Sequence, residues 1–207
     1  MGSYREVGRA MHLVTTNESK ILVDCGAKPT SNRNEVQPFF AAPEMLPLDN
    51  IDAVVITHAH VDHIGMLPVL FRFGYKGPVY CTQPTRDLMT LLQMDYIKVA
   101  QAEGNEAPYS KSDIQECIKH VVDVNWGEKI DIAPDIKMTM ENAGHILGSS
   151  SVYMQIGEGR DEHKLLFSGD IKYEKSWLFD AATVRFNKVD TSVSYTHLTL
   201  PTSKIVG

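Results

Sequence analysis

His58-Ala59-His60-Val61-Asp62-His63 is the stretch on which the reading of this chain turns. Three of the eight histidines fall within six residues, with a carboxylate between the second and third. Imidazole nitrogen and carboxylate oxygen are the donors that suit a hydrolytic zinc ion. The segment follows directly on an apolar run, residues 51–57, which reads as a buried strand. A strand end is a rigid place from which a turn can present ligands. The plain alternative is a solvated histidine-rich turn.

Three further residues occupy comparable positions. Asp24 ends the apolar strand 21–23 and is followed by Cys25-Gly26. His145 lies in Asn142-Ala143-Gly144-His145, after a strand at 136–140. Asp170 lies in Phe167-Ser168-Gly169-Asp170, after a strand at 165–168. Singly, each reads as an ordinary strand-end residue. In order along the chain they form one series: Asp24, then His58, His60, Asp62 and His63, then His145, then Asp170.

The rest of the chain supplies a scaffold. Strands are predicted at 20–26, 51–57, Val79–Cys81, 121–124, 136–140, 151–156 and 165–168, with the last two joined through Gly157-Glu158-Gly159. A short helix carries Leu67, Leu70 and Phe71, with Pro68 in its first turn. The longest helix spans 85–103, with a stripe of Leu88, Leu91, Leu92, Asp95, Tyr96 and Val99. Ser112 is the N-cap candidate of another helix through Ile114 and Ile118. Residues 28–50 carry Pro29, Pro38, Pro43 and Pro47 and read as a long loop. Strands in both halves with helices between them predict two sheets with helices outside.

Composition limits the functions open to the chain. With 207 residues, 43% hydrophobic and 22% charged, it can bury a full core. No apolar run approaches the roughly 20 residues of a membrane span, and Met1 to Glu6 lack a signal-peptide core. A cytoplasmic protein without a membrane partner is expected. Cys25, Cys81 and Cys117 are too sparse for a disulfide framework or thiolate knuckle and read as small buried hydrophobes. A net charge of −6 argues against gripping a nucleic acid by bulk charge. Arg72, Lys76, Arg86, Lys172, Lys175 and Arg185 are either phosphate contacts or ordinary solvated charges.

The series of acids and histidines resembles the metallo-β-lactamase fold, an α/β (α+β) αββα sandwich with a two-metal site on one edge. The resemblance covers residues 1–190. It implies that His58, His60 and His145 hold one zinc, that Asp62 and His63 belong to a second, and that Asp170 bridges both. Asp62, His63 and Asp170 are then the catalytic set, and Asp24 orients the histidine-rich loop without binding metal. Two zinc ions about 3.5–4 Å apart can share a hydroxide and stabilise an in-line displacement, with no serine or cysteine nucleophile.

Local sequence is similar to the β-CASP nuclease branch: Tyr4-Arg5-Glu6-Val7-Gly8-Arg9, Ile21-Leu22-Val23-Asp24-Cys25-Gly26, His63-Ile64-Gly65-Met66-Leu67-Pro68, Tyr80-Cys81-Thr82-Gln83-Pro84-Thr85-Arg86-Asp87-Leu88-Met89 and Asn142-Ala143-Gly144-His145-Ile146-Leu147-Gly148-Ser149. Within the branch these most resemble archaeal homologues of the cleavage and polyadenylation specificity factor nuclease. The resemblance implies a zinc-dependent ribonuclease acting on RNA in 3′-end formation and transcription termination, as a homo-oligomer or within a processing complex.

Departures from that family set further expectations. Its β-CASP domain and C-terminal completion are absent, so the sandwich is expected to be incomplete. The last ligand of the second zinc is missing, leaving one complete site and a chain that is slow or inactive by itself. Seven of the last seventeen residues are Ser or Thr, and residues 191–207 are expected to be a non-native tail, so His197 is not recruited. Two rivals share these residues: a hydrolase of a small thioester or lactone, and an RNA-processing scaffold without turnover.

Overall fold

The computed structural model describes residues 8–28, 43–183, 185–186 and 188–194. Within them lie two five-stranded sheets. The first runs in the order β1 (His12–Thr15), β2 (Lys20–Val23), β3 (Ala53–Val55), β4 (Val79–Cys81) and β5 (Val121–Asp123). β1 and β2 pair antiparallel, and β2 to β5 are parallel. The second holds β6 (Lys129–Ala133), β7 (Ile136–Asn142), β8 (Ser150–Ile156), β9 (His163–Phe167) and β10 (Thr191–Val193). Its order is β10-β9-β8-β7-β6, antiparallel apart from the parallel β10–β9 pair.

Side-chain alternation explains the layering. Ile21, Val23, Ala53 and Val55 point into a core shared with Ile136, Met138, Met140, Val152, Met154 and Phe167 of the second sheet. Their neighbours Leu22 and Val54 face the other way, into a core shared with the helices. Residues 21–23 of β2 and all of β3 are buried on both faces and continuously apolar, as strands inside a covered parallel sheet must be. On β7 the buried residues 136, 138 and 140 alternate with half-buried ones, the period of a strand with one face on the core.

Four described helices belong to the first sheet's outer side: α1 (Val61–Ile64), α2 (Leu67–Arg72), α3 (Gln83–Ala102) and α4 (Lys111–Lys119). Among the described residues no helix covers the outer face of the second sheet. The chain after β9 crosses it instead, with Phe186 stacked on Tyr153 at a ring separation of 5.0 Å and the Tyr153 hydroxyl donating to Lys188 O at 3.0 Å. Three layers of the expected αββα sandwich are thus present among the described residues.

The structure corrects four local readings. The fully buried line of α3 is Thr85, Met89, Gln93 and Ile97; of the predicted stripe Leu88, Leu92 and Tyr96 pack partly against the core, whereas Leu91 and Val99 are 65% and 48% exposed. Polar residues hold that line because they have partners. The Thr85 hydroxyl donates to Gly148 O at 3.0 Å and Gln93 Nε2 to Ile64 O at 3.1 Å. The cap of α4 is Ser110, not Ser112: Ser110 has the extended backbone of a cap and makes a reciprocal capping box with Asp113, whereas Ser112 already lies inside the helix. The histidine-rich turn contains a one-turn helix, α1.

Fourthly, the domain does not stop at residue 190. Thr191 and Val193 pair with Leu165 and Phe167, and Val193 packs partly into the inter-sheet core. Main-chain pairing does not depend on side chains, and small polar residues suit an edge strand. Residues 195–207, with His197, lie outside the described residues, as do 1–7 and 29–42 of the amino-terminal motif and the long loop.

Candidate metal centre

All the singled-out acids and histidines meet on one edge of the sandwich, because each follows a strand. Asp24 follows β2, the 58–63 segment follows β3, His145 follows β7 and Asp170 follows β9. The sheets are tied together there by Ser150 N–H donating to Thr57 O at 2.8 Å, while Ser151 Oγ donating to Ser168 O at 2.8 Å joins the ends of β8 and β9 within the second sheet.

The backbone after β2, with Ala10 from just before β1, clamps the histidine-rich segment. Cys25 N–H donates to His63 O (2.7 Å), Ala27 N–H to Val61 O (3.0 Å), Ala10 N–H to Asp62 O (2.9 Å) and Met66 N–H to Cys25 O (2.9 Å). Asp24 lies at φ 59°, a left-handed conformation that costs an L-residue roughly 1–2 kcal/mol. Its side-chain bonds offset that cost. Thr57 N–H donates to Oδ1 at 2.8 Å, and His63 Nδ1 lies 2.8 Å from Oδ2.

The His145 loop is secured from α3. Both Thr82 and Thr85 hydroxyls donate to Gly148 O, at 2.8 and 3.0 Å. Ser149 Oγ accepts from the N–H groups of His145 and Ile146 at 3.1 and 3.2 Å. Gly148 has φ 80°, and a Cβ there would lie 2.7 Å from Thr82 Oγ1, so only glycine permits this approach.

His58, His60, His145 and Asp170 offer ligand atoms that all lie within 4.8 Å of one another. His60 Nδ1 is 3.1 Å from His58 Nε2 and also 3.1 Å from His145 Nε2. One ring nitrogen carries either one proton or one lone pair, so a linear hydrogen bond accounts for at most one of these approaches. Donors held about 2.0–2.1 Å from a tetrahedral zinc ion are about 3.3–3.4 Å apart, close to the spacing seen. The donor set fits a cation.

Asp170 faces two ways. Its Oδ2 is 3.4 Å from His145 Nε2 and 3.9 Å from His58 Nε2, whereas its Oδ1 is 3.7 Å from His63 Nε2. His63 Nε2 is also 3.8 Å from Asp62 Oδ2. Thus all six proposed ligands come together, with Asp24 directly behind His63.

Burial pushes the His58 pKa well down, and the neighbouring His63, His60 and His145 push in the same direction, so its ring stays neutral with a lone pair free. Burial also lowers His145, against an opposing pull from Asp170. At His63 burial disfavours the charged ring, but Asp24, by charge and hydrogen bond, with Asp62 and Asp170, outweighs it and raises the pKa. The three cysteines are buried free thiols, and burial pushes Cys81 up to about 12, as expected of inert packing residues.

Several basic side chains considered above have partners within the chain. Arg72 Nη1 donates to Pro108 O at 2.7 Å, Lys175 Nζ is 2.9 Å from Asp180, and Arg86 is paired with Asp87 at 3.2 Å and with Asp123. Sequence reasoning passed over Thr57, Thr82, Thr85, Gln93 and Ser149. No spacing rule marks them, because each acts on a partner distant in sequence or through main-chain contacts.

Asp24→Asn tolerates the left-handed backbone but removes the charge behind His63. It should weaken metal affinity by roughly 10–100-fold in a chelator competition, the usual effect of a group that orients a ligand. Unchanged affinity would make Asp24 an ordinary strand-end residue.

Residues 13–202 match the sequence model described as the Metallo-beta-lactamase superfamily domain. The chain is 51% identical over 194 residues to "Transcription termination factor FttA" of Methanosarcina mazei, covering 94% of this chain and 30% of that protein. It is 47% identical to the protein of that name from Methanocaldococcus jannaschii, covering 93% and 30%, and 44% identical to that of Lokiarchaeum, covering 92% and 29%. The chain therefore spans about 30% of the length of these relatives. Among solved structures, MEM-A1, a subclass B3 metallo-beta-lactamase from a soil metagenome library, aligns with TM-score 0.52 at 16% identity, covering 84% of this chain and 64% of that one. Rm3 metallo-beta-lactamase aligns with TM-score 0.50 at 20% identity, covering 77% and 55%. Likeness at these identities concerns the fold alone.

Proposed function

We propose, starting from a chain that belongs to the metallo-beta-lactamase superfamily, that this domain is the zinc-binding part of an RNA-cleaving protein acting in transcription termination. His58, His60, His145 and Asp170 hold one zinc ion; Asp62, His63 and Asp170 contribute to a second. The observation that carries the reading is Asp170, whose two oxygens address the two groups separately. Three imidazoles with one carboxylate are donors that suit zinc. RNA as substrate, the termination role and association with transcription machinery rest on the relatives named above and on the resemblance to the β-CASP nucleases. No described helix is long and apolar enough to cross a membrane.

When bound, zinc supplies Lewis acidity and a water activated for attack on a phosphodiester. The chain's own residues prepare the site. Burial keeps the His58 ring neutral, so its lone pair is available without loss of a proton. Asp24 Oδ2 accepts a hydrogen bond from His63 Nδ1–H, which leaves Nε2 toward Asp62 and Asp170. Asp62 and Asp170 are partly exposed, so this edge presents negative charge that repels a phosphate backbone until cations occupy it. RNA binding should therefore depend on metal.

The test uses this chain and the same chain completed with the segments of the M. mazei relative outside the match. The completed protein is expected to cut single-stranded RNA only when loaded with zinc, and His63→Ala should abolish cleavage. This chain alone should be slow or inactive, because a net charge of −6 gives it little long-range attraction for a polyanion. A completed protein that hydrolyses a neutral thioester or lactone probe and leaves RNA intact at low salt would overturn the reading.

A further inference from the structure

We propose that Thr57 is a positioning residue that links Asp24 to the first histidine of the centre by setting the tautomer of His58. The inference rests on the metal-centre reading above, and its own content concerns one proton on one ring.

Thr57 is buried between β3 and the histidine-rich segment, and its polar atoms are all engaged. The Asp24 carboxylate takes the Thr57 N–H on Oδ1 at 2.8 Å and lies opposite His63 Nδ1 on Oδ2 at 2.8 Å. The Thr57 hydroxyl also faces this carboxylate, 2.9 Å from Oδ2 and 3.1 Å from Oδ1. A hydroxyl has one proton, and toward a carboxylate it must donate it. Its oxygen is then left as an acceptor, and His58 Nδ1 stands 3.0 Å away.

The direction of the chain of bonds follows. His58 Nδ1–H donates to Thr57 Oγ1, and Thr57 Oγ1–H donates to Asp24. His58 Nε2 is left with its lone pair, and that is the atom facing His60 Nδ1 and Asp170. One buried carboxylate thereby orients both halves of the centre: His63 directly, and His58 through a single hydroxyl. The ring cannot be turned by solvent, because His58 is 1% exposed. Removing the hydroxyl takes away the acceptor for Nδ1–H and leaves the opposite tautomer, with its proton on the ligating nitrogen, in competition.

Two measurements test this. Long-range ¹⁵N–¹H correlation spectra of the metal-free, unaltered protein should show His58 protonated on Nδ1; a proton on Nε2 would overturn the proposal. Thr57→Val preserves shape but lacks the hydroxyl, and should lose roughly 10–100-fold in zinc affinity by chelator competition, while Thr57→Ser stays within about threefold. A folded Val variant that binds zinc as tightly as the unaltered protein would also overturn it. Should Thr57→Val fail to fold, the spectrum of the unaltered protein and the affinity of Thr57→Ser decide. Absence of zinc binding by the unaltered protein would defeat the metal-centre reading instead, and the tautomer would still be read.

Discussion

Gly26→Ala should severely destabilise the native fold. A Cβ on residue 26 would lie 1.5 Å from the carbonyl oxygen of Asp62 and 2.1 Å from its carbonyl carbon. Neither atom belongs to a flexible side chain, so relief requires parting the 24–27 segment from α1. The hydrogen bonds that clamp Asp62 and His63 against Ala10 and Cys25 would part with it. A loss of more than about 4–5 kcal/mol is expected, in the range reserved for severe backbone conflicts. In a domain of this size that lowers the melting temperature by roughly 10 °C or more. Gly104→Ala is the control: its φ of 72° strains an alanine, but no atom lies within 4 Å, so the cost should stay near 1 kcal/mol. Thermal denaturation of the two variants checks the contrast. Near-native melting of Gly26→Ala would show that the clamp can open without unfolding the domain.

His60→Ala should empty the first metal position. His60 Nδ1 is the donor that both His58 Nε2 and His145 Nε2 approach at 3.1 Å, so its loss leaves those two rings with no common third nitrogen. Four-donor zinc sites hold their ion with roughly 10–16 kcal/mol, so one donor accounts for about 3 kcal/mol, more than a hundredfold in affinity. Elemental analysis of folded, zinc-prepared protein should fall from about one tightly held zinc per chain to none. His120→Ala and His163→Ala should change nothing. His120 Nδ1 lies against Glu116 O and His163 Nε2 against Thr191 Oγ1, both outside the clustered ligands. Retention of zinc by His60→Ala, or no zinc in the unaltered protein, would overturn the ligand assignment.

Much of this was legible along the chain, and the reason is locality. His58, His60, Asp62 and His63 are adjacent in sequence, so their clustering needs no fold to be seen. β3 and residues 21–23 of β2 announce themselves because a strand segment buried on both faces is apolar at every position, and the apolar run of β4 gives its observed bounds. Asp24, His145 and Asp170 could be placed at strand ends, and the order of the series carried the family resemblance.

Other features had no local signal. β1, β6 and β10 are short and only partly buried, with half-polar sequences that become strands because a neighbour offers main-chain partners. The buried face of α3 was misread because Thr85 and Gln93, polar by type, occupy it to hold Gly148 and Ile64. Sequence alone thus determined which residues could bind a metal, and roughly where each strand would present them. Tertiary structure decided that His145, 85 positions from His60, comes within 3.1 Å of it. It also decided that Asp170 turns one oxygen to each group and that Thr57 stands between Asp24 and His58. Ligand chemistry is a property of residue type and is written locally; orientation is imposed by packing two sheets edge to edge, which no stretch of sequence contains.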